Sequence, residues 1–461
     1  MESKKINIIL NKQKDFYNTG KTRDLSFRLD ILKKLYEIIE VHESEIMTAL
    51  YKDLKKGETE SFTSEIVYVE REIQYIIKYL HKWNRLQKVS TPLINKPGKS
   101  YIQHDPYGIA LIISPWNYPF GLLFTPLVGA IAAGNCIIAK PSEIAEHTSH
   151  LVAWLIQKNF PEEYMAVVQG GPQLTQKLIN KNIDYIFFTG SSRVGKLIMQ
   201  QAGKYLIPVT LELGGKNPCI VDYDIDIEVV VRRIVWGKFF NAGQTCIAPD
   251  YLLVHSKIKD IFLERLIATI NEFYNGNIKE NTDYTHIINK KHFTRLSDLL
   301  KGVNIVTGGE KDSDELFISP TVVIEPKHDS LLMQEEIFGP ILPVLFYDQL
   351  NTEIMKLQKR PKPLILYFFS RDKKKQNTVL MHTSSGSVCL NSIIHSLMSH
   401  TLPFGGIGKS GMGQYHGKTS FTTFSHKKSV LKKFFFADMS LFYPPYKGSL
   451  KMIKKVFKLL Y

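Results

Sequence analysis

The residues of this chain with the clearest chemical potential are a cysteine in a small polar turn and a glutamate on a separate apolar strand. Residues 241–246 read Asn-Ala-Gly-Gln-Thr-Cys, so Cys246 closes a Gly-containing loop. Glu212 stands between two leucines and directly before a Gly-Gly pair. A thiolate at Cys246 would attack a carbonyl carbon, and a carboxylate at Glu212 would later activate the water that releases the product. The pair therefore predicts covalent catalysis on a carbonyl substrate.

The other three cysteines are predicted to be ordinary core residues. Cys136, Cys219 and Cys389 lie in apolar runs, where a free cysteine packs as a small hydrophobe. None of the four cysteines belongs to a CxxC pair or a Cys/His cluster, which favours a reducing compartment and predicts neither a disulfide scaffold nor a metal site. At Cys246 we expect the loop to lower the thiol pKa, or a base to take the proton, because only the thiolate attacks well.

The surroundings of Glu212 suit a general base. A carboxylate in an apolar strand costs free energy unless it is paired or its pKa is raised. A raised pKa is what a base working near neutral pH needs. The alternative is a salt-bridged carboxylate with a structural role.

Asn117 is the predicted donor to the oxyanion. It lies in residues 114–119, Ser-Pro-Trp-Asn-Tyr-Pro, where an isolated Asn would be only a turn residue. Attack on a carbonyl carbon makes an alkoxide, and one fixed amide donor to it contributes about 3–4 kcal/mol. The conjunction with the cysteine and the glutamate makes Asn117 a catalytic candidate, beside the Cys246 backbone N–H. Trp116 and Tyr118 are then predicted to wall the substrate pocket.

The elements that must position these residues form an α/β pattern. The chain of 461 residues is long enough for two or three domains. Long amphipathic helices are predicted at 24–56 and 60–86, followed by a connector. Short apolar strands then alternate with helices, which predicts a parallel sheet with helices on both faces. The strands of the first series are predicted at 109–113, 136–139, 165–169, 186–189 and 208–212, and those of a second series at 251–254, 317–324 and 364–369.

One uncharged stretch has the length of a membrane span. No charged residue lies between Asp105 and Lys140. Pro115, Pro119 and Pro126 interrupt this stretch, which favours a buried strand, a turn and a helix. Without a secretory signal at the N-terminus, we expect a cytoplasmic protein.

The formal net charge of +15 is concentrated at the C-terminus. From Lys427 onward nine lysines oppose only Asp438, a net of +8. A basic protein of this kind would meet nucleic acid, an anionic membrane or an acidic substrate. Because more than half of the excess charge lies in the tail, the body of the protein is only mildly basic.

The tail itself has helical spacing. Lys451, Lys454, Lys455 and Lys458 fall on one face of a helix, and apolar residues largely occupy the rest. This predicts a basic amphipathic helix that lies on an anionic membrane through residues 448–461. The alternative is a solvated helix or one docked on the protein body. We predict no nucleic-acid partner.

These motifs, in this order and at this separation, closely resemble the aldehyde dehydrogenase superfamily from about residue 15 to about residue 446. Residues 248–250, Ala-Pro-Asp, and residues 415–418, Tyr-His-Gly-Lys, resemble its class 3, or fatty-aldehyde, branch. The resemblance implies an aldehyde dehydrogenase-like α/β fold with two doubly wound parallel-sheet domains plus a β oligomerisation arm, and a homodimer. The parts it implies are an NAD(P)-binding domain at 1–86 and 109–212, a catalytic domain at 213–401, an oligomerisation arm at 87–108 and 402–440, and the basic tail at 441–461.

The resemblance also places a dinucleotide. The sequence 188–195, Phe-Thr-Gly-Ser-Ser-Arg-Val-Gly, follows a predicted strand and opens a helix, so its free N–H groups suit a pyrophosphate. Its glycine spacing differs from the common dinucleotide fingerprint but resembles the family's version. Gly190, Ser191, Val194 and Gly195 are therefore expected cofactor contacts, with Ser191 at the phosphate.

Two further pairs match cofactor contacts of the family. Lys140 and Glu143 would bond the adenosine ribose hydroxyls, and Glu336 and Phe338 would contact the nicotinamide ribose. A carboxylate at the adenosine ribose disfavours an added 2′-phosphate by repulsion. We therefore expect NAD, with NADP as an alternative.

Two local patterns limit what the resemblance transfers. Residues 406–411 spell GxGxxG, but they open no amphipathic helix, so we expect a structural loop beside the active site. Residues 391–392 are Asn-Ser where the branch usually has Asn-Asp, which puts inherited substrate detail in doubt.

The predicted function is NAD(P)-dependent oxidation of an apolar, long-chain or aromatic aldehyde to the carboxylic acid. It would pass through a thiohemiacetal and a thioester on Cys246, with hydrolysis by Glu212-activated water. Release of the thioester to coenzyme A is the alternative within the enzyme class. A basic membrane- or nucleic-acid-binding protein on an inert dehydrogenase scaffold is the alternative from another class.

Overall fold

The computed structural model describes residues 2–274, 278–436, 443–446 and 450–460, and of residues 2, 3, 456, 459 and 460 it describes the backbone only. Parts of the predicted arm and tail, at 437–442, 447–449 and 461, lie outside the described residues.

The described chain alternates strands and helices over most of its length. The strands are β1 Gln87–Val89, β2 Gly98–Pro106, β3 Ile109–Ile113, β4 Cys136–Lys140, β5 Met165–Val167, β6 Tyr185–Thr189, β7 Val209–Glu212, β8 Pro218–Val221, β9 Tyr251–His255, β10 Ile305–Thr307, β11 Lys311–Asp312, β12 Phe317–Ile318, β13 Thr321–Ile324, β14 Ile341–Tyr347, β15 Ile365–Phe369, β16 Ser387–Leu390, β17 Gly411–Met412 and β18 Ser425–Lys433. The helices are α1 Glu2–Asn18, α2 Leu25–Val41, α3 Glu43–Leu54, α4 Glu58–Ser61, α5 Val67–Trp83, α6 Gly121–Ala133, α7 Glu146–Asn159, α8 Pro172–Ile179, α9 Ser192–Gly203, α10 Ile227–Phe239, α11 Lys259–Phe273, α12 Lys290–Leu299, α13 Leu331–Gln334, α14 Leu350–Gln358, α15 Lys373–His382, α16 Lys418–Thr423 and α17 Leu450–Leu460.

The first strand series forms a six-stranded sheet in the order β17-β7-β6-β3-β4-β5. Its strands are parallel except β17, which runs antiparallel to β7. All residues of β3, β4 and β6 are buried, as expected for parallel strands covered by helices on both faces. The uncharged stretch forms β3, a turn and the buried helix α6, as predicted. Among the described residues, no helix combines the length and the apolar character needed to cross a bilayer.

The second series forms a seven-stranded sheet in the order β10-β13-β14-β9-β8-β15-β16, parallel except at the edge strand β10. The single strand predicted at 317–324 is wrong, because this segment forms two strands. β12 pairs with β11 in a separate two-stranded sheet, and β13 enters the large sheet. Pro320 lies between them and has no N–H to donate to a ladder.

The N-terminal helices also differ from the prediction. The helix predicted at 24–56 is broken at His42, whose backbone leaves the helical region between α2 and α3. The helix predicted at 60–86 is interrupted by a π turn, Phe62–Ile66, between α4 and α5. Such turns add one residue to a helix, and they change which side chains face the core.

A three-stranded sheet in the order β1-β2-β18 is built from the two segments predicted to form the arm. β18 pairs with β2 along nine residues, from Ser425 opposite Pro106 to Lys433 opposite Gly98. In the described chain no strand pairs with the outer edge of β18. Helix α17 forms in the tail, as predicted, and its four lysines are exposed.

Candidate active site

Glu212 is the last residue of β7, between Thr189 of β6 and Gly411 of β17. Only 3% of its surface is exposed, and neither carboxylate oxygen has a hydrogen-bond partner among the described residues. Burial raises the pKa of Glu212 well above its ordinary value, because a charge there would lose its hydration without compensation. The raised pKa predicted for this residue is present, and the salt-bridged alternative is wrong. The GxGxxG run forms no helix, and its Ser410 carbonyl accepts a hydrogen bond from the N–H of Leu213.

Cys246 follows a tight loop between α10 and β9. Asn241, Ala242 and Gly243 all have positive φ angles, of 54°, 50° and 70°. A Cβ added at Gly243 would lie 2.3 Å from the carbonyl oxygen of Gly339, so only glycine fits there. The loop leaves Cys246 half-buried, while the other three cysteines are buried, as predicted.

The Cys246 thiol is not acidic in this environment. Burial raises its pKa to about 12, and the carboxylates of Glu336 and Glu212 add to the increase, whereas the backbone N–H groups of Cys246 and Ile247 oppose it. The expectation that the loop lowers this pKa is therefore wrong. The second expectation, that a base must take the thiol proton, is the one that agrees with the site.

Asn117 lies against the cysteine loop. Its Nδ2 donates to the backbone carbonyl oxygen of Gln244 at 2.9 Å, and the backbone carbonyl oxygen of Asn117 accepts from Nδ2 of Asn241 at 2.9 Å. The hydroxyls of Tyr118 and Thr245 hydrogen-bond at 2.6 Å. Three side-chain hydrogen bonds thus join the two loops. The Gln244 bond uses one of the two Nδ2 hydrogens of Asn117 and leaves the other for a further acceptor.

A cavity of about 610 Å³ opens at Cys246. Much of its wall is aromatic, from Tyr68, Tyr118, Trp236, Phe240, Phe273, Tyr274, Phe404 and Tyr415. Tyr118 lines this cavity, as predicted, but Trp116 does not. The ring of Trp116 packs instead against His292, at 4.7 Å, and Phe338, at 5.4 Å between centroids, so the prediction for Trp116 is corrected. The wall also contains Glu60, whose pKa burial raises to about 7.

The candidate phosphate contacts lie where β6 passes into α9. Ser191 is the N-cap of α9, and its Oγ accepts from the N–H of Val194 at 3.4 Å. The N–H of Gly190 donates to the carbonyl oxygen of Glu212 at 2.9 Å. A Cβ added at Gly195 would lie 2.6 Å from a leucine side chain, so the glycine lets α9 approach the end of β7. These residues therefore share the carboxyl edge of the sheet with Glu212, which is where open α/β sheets bind ligands.

The candidate ribose contacts lie at the same edge. Lys140 is the last residue of β4, and its Nζ contacts Oε2 of Glu143 at 2.5 Å. Lys140 is buried, while the Glu143 side chain is exposed enough to meet a ligand.

Glu336 faces the glycines that follow Glu212. Its Oε1 accepts from the N–H of Gly215 at 3.1 Å, and a Cβ added at Gly214 would lie 2.1 Å from its Oε2. Burial and the neighbouring Asp250 raise the pKa of Glu336 to about 8. Gly214, Gly215 and Glu336 also line a second cavity, of about 590 Å³. Phe338 follows with a positive φ of 49°.

Lys56 and Glu65 are polar residues of the site that sequence reasoning did not single out. Their side chains are fully buried and form an ion pair of 2.5 Å behind the Asn117 loop. A signal existed for Glu65, because positions 65, 69, 72 and 76 recur at helical spacing with Val69 and Ile76. A carboxylate on that apolar face requires a partner. No local pattern marked Lys56.

Three comparisons with known proteins agree on the family. The aldehyde dehydrogenase family model matches residues 2–430. A 4,4′-diaponeurosporen-aldehyde dehydrogenase of Staphylococcus aureus (strain NCTC 8325 / PS 47) is 48% identical over 458 residues, 98% of this chain and 100% of that protein. A dimeric NADP-preferring aldehyde dehydrogenase of Canis lupus familiaris is 43% identical over 443 residues, 96% of this chain and 98% of that protein. Relatives at 43 to 44% identity include members of aldehyde dehydrogenase family 3.

The fold comparison agrees with the sequence comparisons. A solved structure of the substrate-bound state of Staphylococcus aureus AldH has a TM-score of 0.95 at 47% identity, covering 98% of this chain and 99% of that one.

Proposed function

The chain belongs to the aldehyde dehydrogenase family and is an oxidoreductase acting on aldehydes, and we propose that it oxidises apolar aldehydes to carboxylic acids through a thioester on Cys246. The observation that carries the proposal is the placement of two further groups around Cys246, which itself lines the cavity. Cys246 opens into it, Asn117 is bonded to the cysteine loop, and Glu212 is close enough to shift the thiol pKa.

In the first step the Cys246 sulfur attacks the aldehyde carbon after losing its proton to a base. The developing oxyanion accepts hydrogen bonds from the free Nδ2–H of Asn117 and from the Cys246 backbone N–H. Both donors are held before the reaction begins, since hydrogen bonds fix the Asn117 amide and the cysteine loop against each other. NAD(P), when bound, would supply the acceptor for the hydride that leaves the thiohemiacetal carbon.

In the second step Glu212 takes a proton from water, and the hydroxide attacks the thioester carbon. The carbon–sulfur bond then breaks, which releases the carboxylic acid and leaves the Cys246 thiolate. The raised pKa of Glu212 suits this role, because a base that is too weak would not accept the proton near neutral pH. A basic Glu212 also favours hydrolysis over release of the acyl group to coenzyme A.

The residues at the carboxyl edge of the six-stranded sheet fit a dinucleotide. Gly190, Ser191, Val194 and Gly195 would hold the pyrophosphate at the start of α9, and Lys140 with Glu143 would hold the adenosine ribose. Support comes from Gly214, whose missing Cβ lets the Glu336 carboxylate lie against the backbone. With Phe338, Glu336 would bind the nicotinamide ribose. Glu143 favours NAD by charge repulsion, but a relative is named for NADP preference, so both cofactors belong in the test.

The aromatic cavity supports an apolar substrate, long-chain or aromatic. Because aromatic side chains cover much of its wall, a hydrocarbon chain gains by leaving water there. A relative is named for 4,4′-diaponeurosporen-aldehyde, which makes that compound a natural member of a substrate series.

The assembly we propose is a homodimer with a peripheral membrane contact. The outer edge of the nine-residue strand β18, which pairs with no strand among the described residues, would be covered by a second copy, and a relative is named dimeric. The exposed lysines of α17 would place residues 448–461 on an anionic membrane. Deleting 448–461 should reduce retention on anionic liposomes and leave oxidation of short aldehydes unchanged; unchanged retention would reject the contact.

The reaction is tested by Cys246→Ala and by mass spectrometry of the reacting enzyme. We expect no NADH from the variant at unchanged cofactor affinity, and an acyl adduct on Cys246 in the unsubstituted enzyme. An aldehyde series of increasing chain length, run with each cofactor and with and without coenzyme A, defines substrate and acceptor. NADH formation by the alanine variant would remove Cys246 from the mechanism. An enzyme without activity on any aldehyde would favour the inert-scaffold alternative.

A further inference from the structure

We propose that Lys56 and Glu65 are positioning residues for the oxidation step, because their buried ion pair holds the loop that presents Asn117 to the oxyanion. The proposal rests on the oxyanion role of Asn117 proposed above. Neither residue contacts the reacting atoms, so both would act through the loop and not on the substrate.

The backbone around Glu65 is specialised. Glu65 belongs to the π turn Phe62–Ile66, the one interruption between α4 and α5. Ser64 of this turn lines the aldehyde cavity, while the next side chain, Glu65, is fully buried. Two neighbouring residues of the turn thus supply part of the cavity wall and the buried carboxylate. π turns of this kind are frequent at functional sites.

The Glu65 carboxylate holds the start of helix α6. Its Oε2 accepts from the N–H of Phe120 at 2.9 Å and from the N–H of Gly121 at 3.1 Å. The first N–H groups of a helix have no partner within the helix, and a negative charge there is favourable. Because Asn117 lies only three residues before Phe120, the carboxylate fixes the end of the Asn117 loop.

The Lys56 ammonium holds the loop itself. Its Nζ contacts Oε1 of Glu65 at 2.5 Å and donates to the carbonyl oxygen of Asn117 at 3.3 Å. It also lies 4.3 Å from the ring centroid of Tyr118, whose hydroxyl bonds Thr245 beside Cys246. One ammonium group thus contacts the oxyanion donor and the residue that joins the two loops.

A purely stabilising role does not explain this pair. Taking two charges out of water costs about as much as their attraction returns, and well-packed apolar residues often serve stability equally well. Apolar side chains could not donate to the Asn117 carbonyl or accept from the two N–H groups. The contacts that require polar side chains are therefore the contacts that set the loop.

The test is the rate of the first NADH burst, measured by stopped flow in the full-length enzyme. Asn117→Ala should slow the burst about 10²–10³-fold, the usual effect of losing one oxyanion donor. Glu65→Gln should slow it about 10- to 100-fold, as expected when a donor is misplaced by about 1 Å. In Glu65→Gln, the dissociation constant of NAD and the apparent affinity for the aldehyde should stay within about twofold of the values for the unsubstituted enzyme, because Glu65 contacts neither ligand.

Coupling between the two positions separates positioning from general damage. In the Asn117→Ala background, Glu65→Gln should have almost no further effect on the burst, because the donor it positions is already absent. Equal slowing in both backgrounds would overturn the proposal. If Asn117→Ala leaves the burst unchanged, the oxyanion role fails. If it slows the burst and Glu65→Gln does not, only the positioning role fails.

One control variant and one replacement variant complete the test. Asp222→Asn breaks an ion pair of similar length, with the partly exposed Lys375 at 2.6 Å and away from the cavity wall, and should leave the burst rate unchanged. Should Glu65→Gln fail to fold with an unpaired Lys56, the double variant Lys56→Met/Glu65→Gln carries no buried charge and takes its place. A normal burst in that folded double variant would equally overturn the proposal.

Discussion

Two buried carboxylates, Glu65 behind the Asn117 loop and Glu212 at the end of β7, have opposite surroundings. Glu65 is fully buried and meets an ammonium and two backbone N–H groups. Glu212 is buried almost as deeply, and neither of its oxygens has a hydrogen-bond partner among the described residues. Burial of a charge is costly in both places, but only at Glu65 is the cost offset by partners. The contrast separates a carboxylate that holds geometry from one that can exchange a proton.

The lack of hydrogen-bond partners for Glu212 among the described residues suits the base role proposed for it. A hydrogen-bonded or salt-bridged glutamate would be a weak base, because its partners favour the ionised form. Leaving Glu212 alone raises its pKa and keeps its oxygens free for water, at a cost to folding. The six-stranded sheet therefore tolerates an unfavourable residue where the proposed chemistry needs it.

The largest expected effect is on turnover by Glu212→Gln. We expect kcat to fall about 10³-fold, within the range for loss of a general base, while the first burst of NADH remains. The free energy of unfolding should be unchanged or higher, because the amide removes an uncompensated acid. Steady-state NADH production and urea unfolding measure the two quantities. Normal steady-state turnover by Glu212→Gln would mean that another residue is the base, and the proposed contrast between Glu65 and Glu212 would be wrong.

Glu65→Gln, unlike Glu212→Gln, should lower the free energy of unfolding. Breaking a buried ion pair typically costs about 3–5 kcal/mol, because the remaining charge has no partner. Urea unfolding should show this loss, and Lys56→Met in the same chain should recover much of it. A Glu65→Gln variant as stable as the unsubstituted protein would mean that the two carboxylates do not differ in the way proposed.

The pH dependence of stability sharpens the contrast at Glu212. Its pKa in the folded protein is raised, so the unfolded chain releases this proton first as the pH rises above about 4.5. The contribution of protonated Glu212 to the free energy of unfolding is therefore complete at low pH. As the pH rises from about 4.5 towards the pKa of the folded state, this contribution falls by about 1.4 kcal/mol per pH unit. The unsubstituted protein should lose stability relative to Glu212→Gln as the pH rises from 5 to 8. Parallel curves for the two proteins would show that the pKa is not raised.

The smallest effect is the influence of the carboxylates on the thiol. With a Cys246 pKa of about 12, alkylation of the cofactor-free protein should rise about tenfold per pH unit between pH 7 and 9. Iodoacetamide should modify one cysteine, absent in Cys246→Ala, because the other three are buried. Glu212→Gln should shift the curve of alkylation rate against pH to slightly lower pH, because the ionised Glu212 carboxylate raises the thiol pKa. A plateau below pH 9 would indicate a thiol that its surroundings acidify.

Much of the architecture could be predicted from short-range patterns. The apolar run at β3 and the helix α6 were recognisable because proline and glycine interrupt an otherwise uncharged segment. Element breaks were harder. His42 carries no helix-breaking chemistry, and neither proline nor glycine marks the π turn before α5, so both helices were predicted as continuous.

Residue types and their neighbours in the chain were enough to identify Cys246 and Glu212 as candidates, because a loop cysteine and a strand carboxylate are unusual in their local settings. Asn117 became a candidate only in conjunction with these two residues. The folded chain alone decided that the thiol is not acidic, that Trp116 packs against Phe338 outside the aldehyde cavity, and that Lys56 reaches the Asn117 carbonyl. Each of these depends on which distant groups approach and on how much water they exclude, and neither quantity is encoded in a short stretch of sequence.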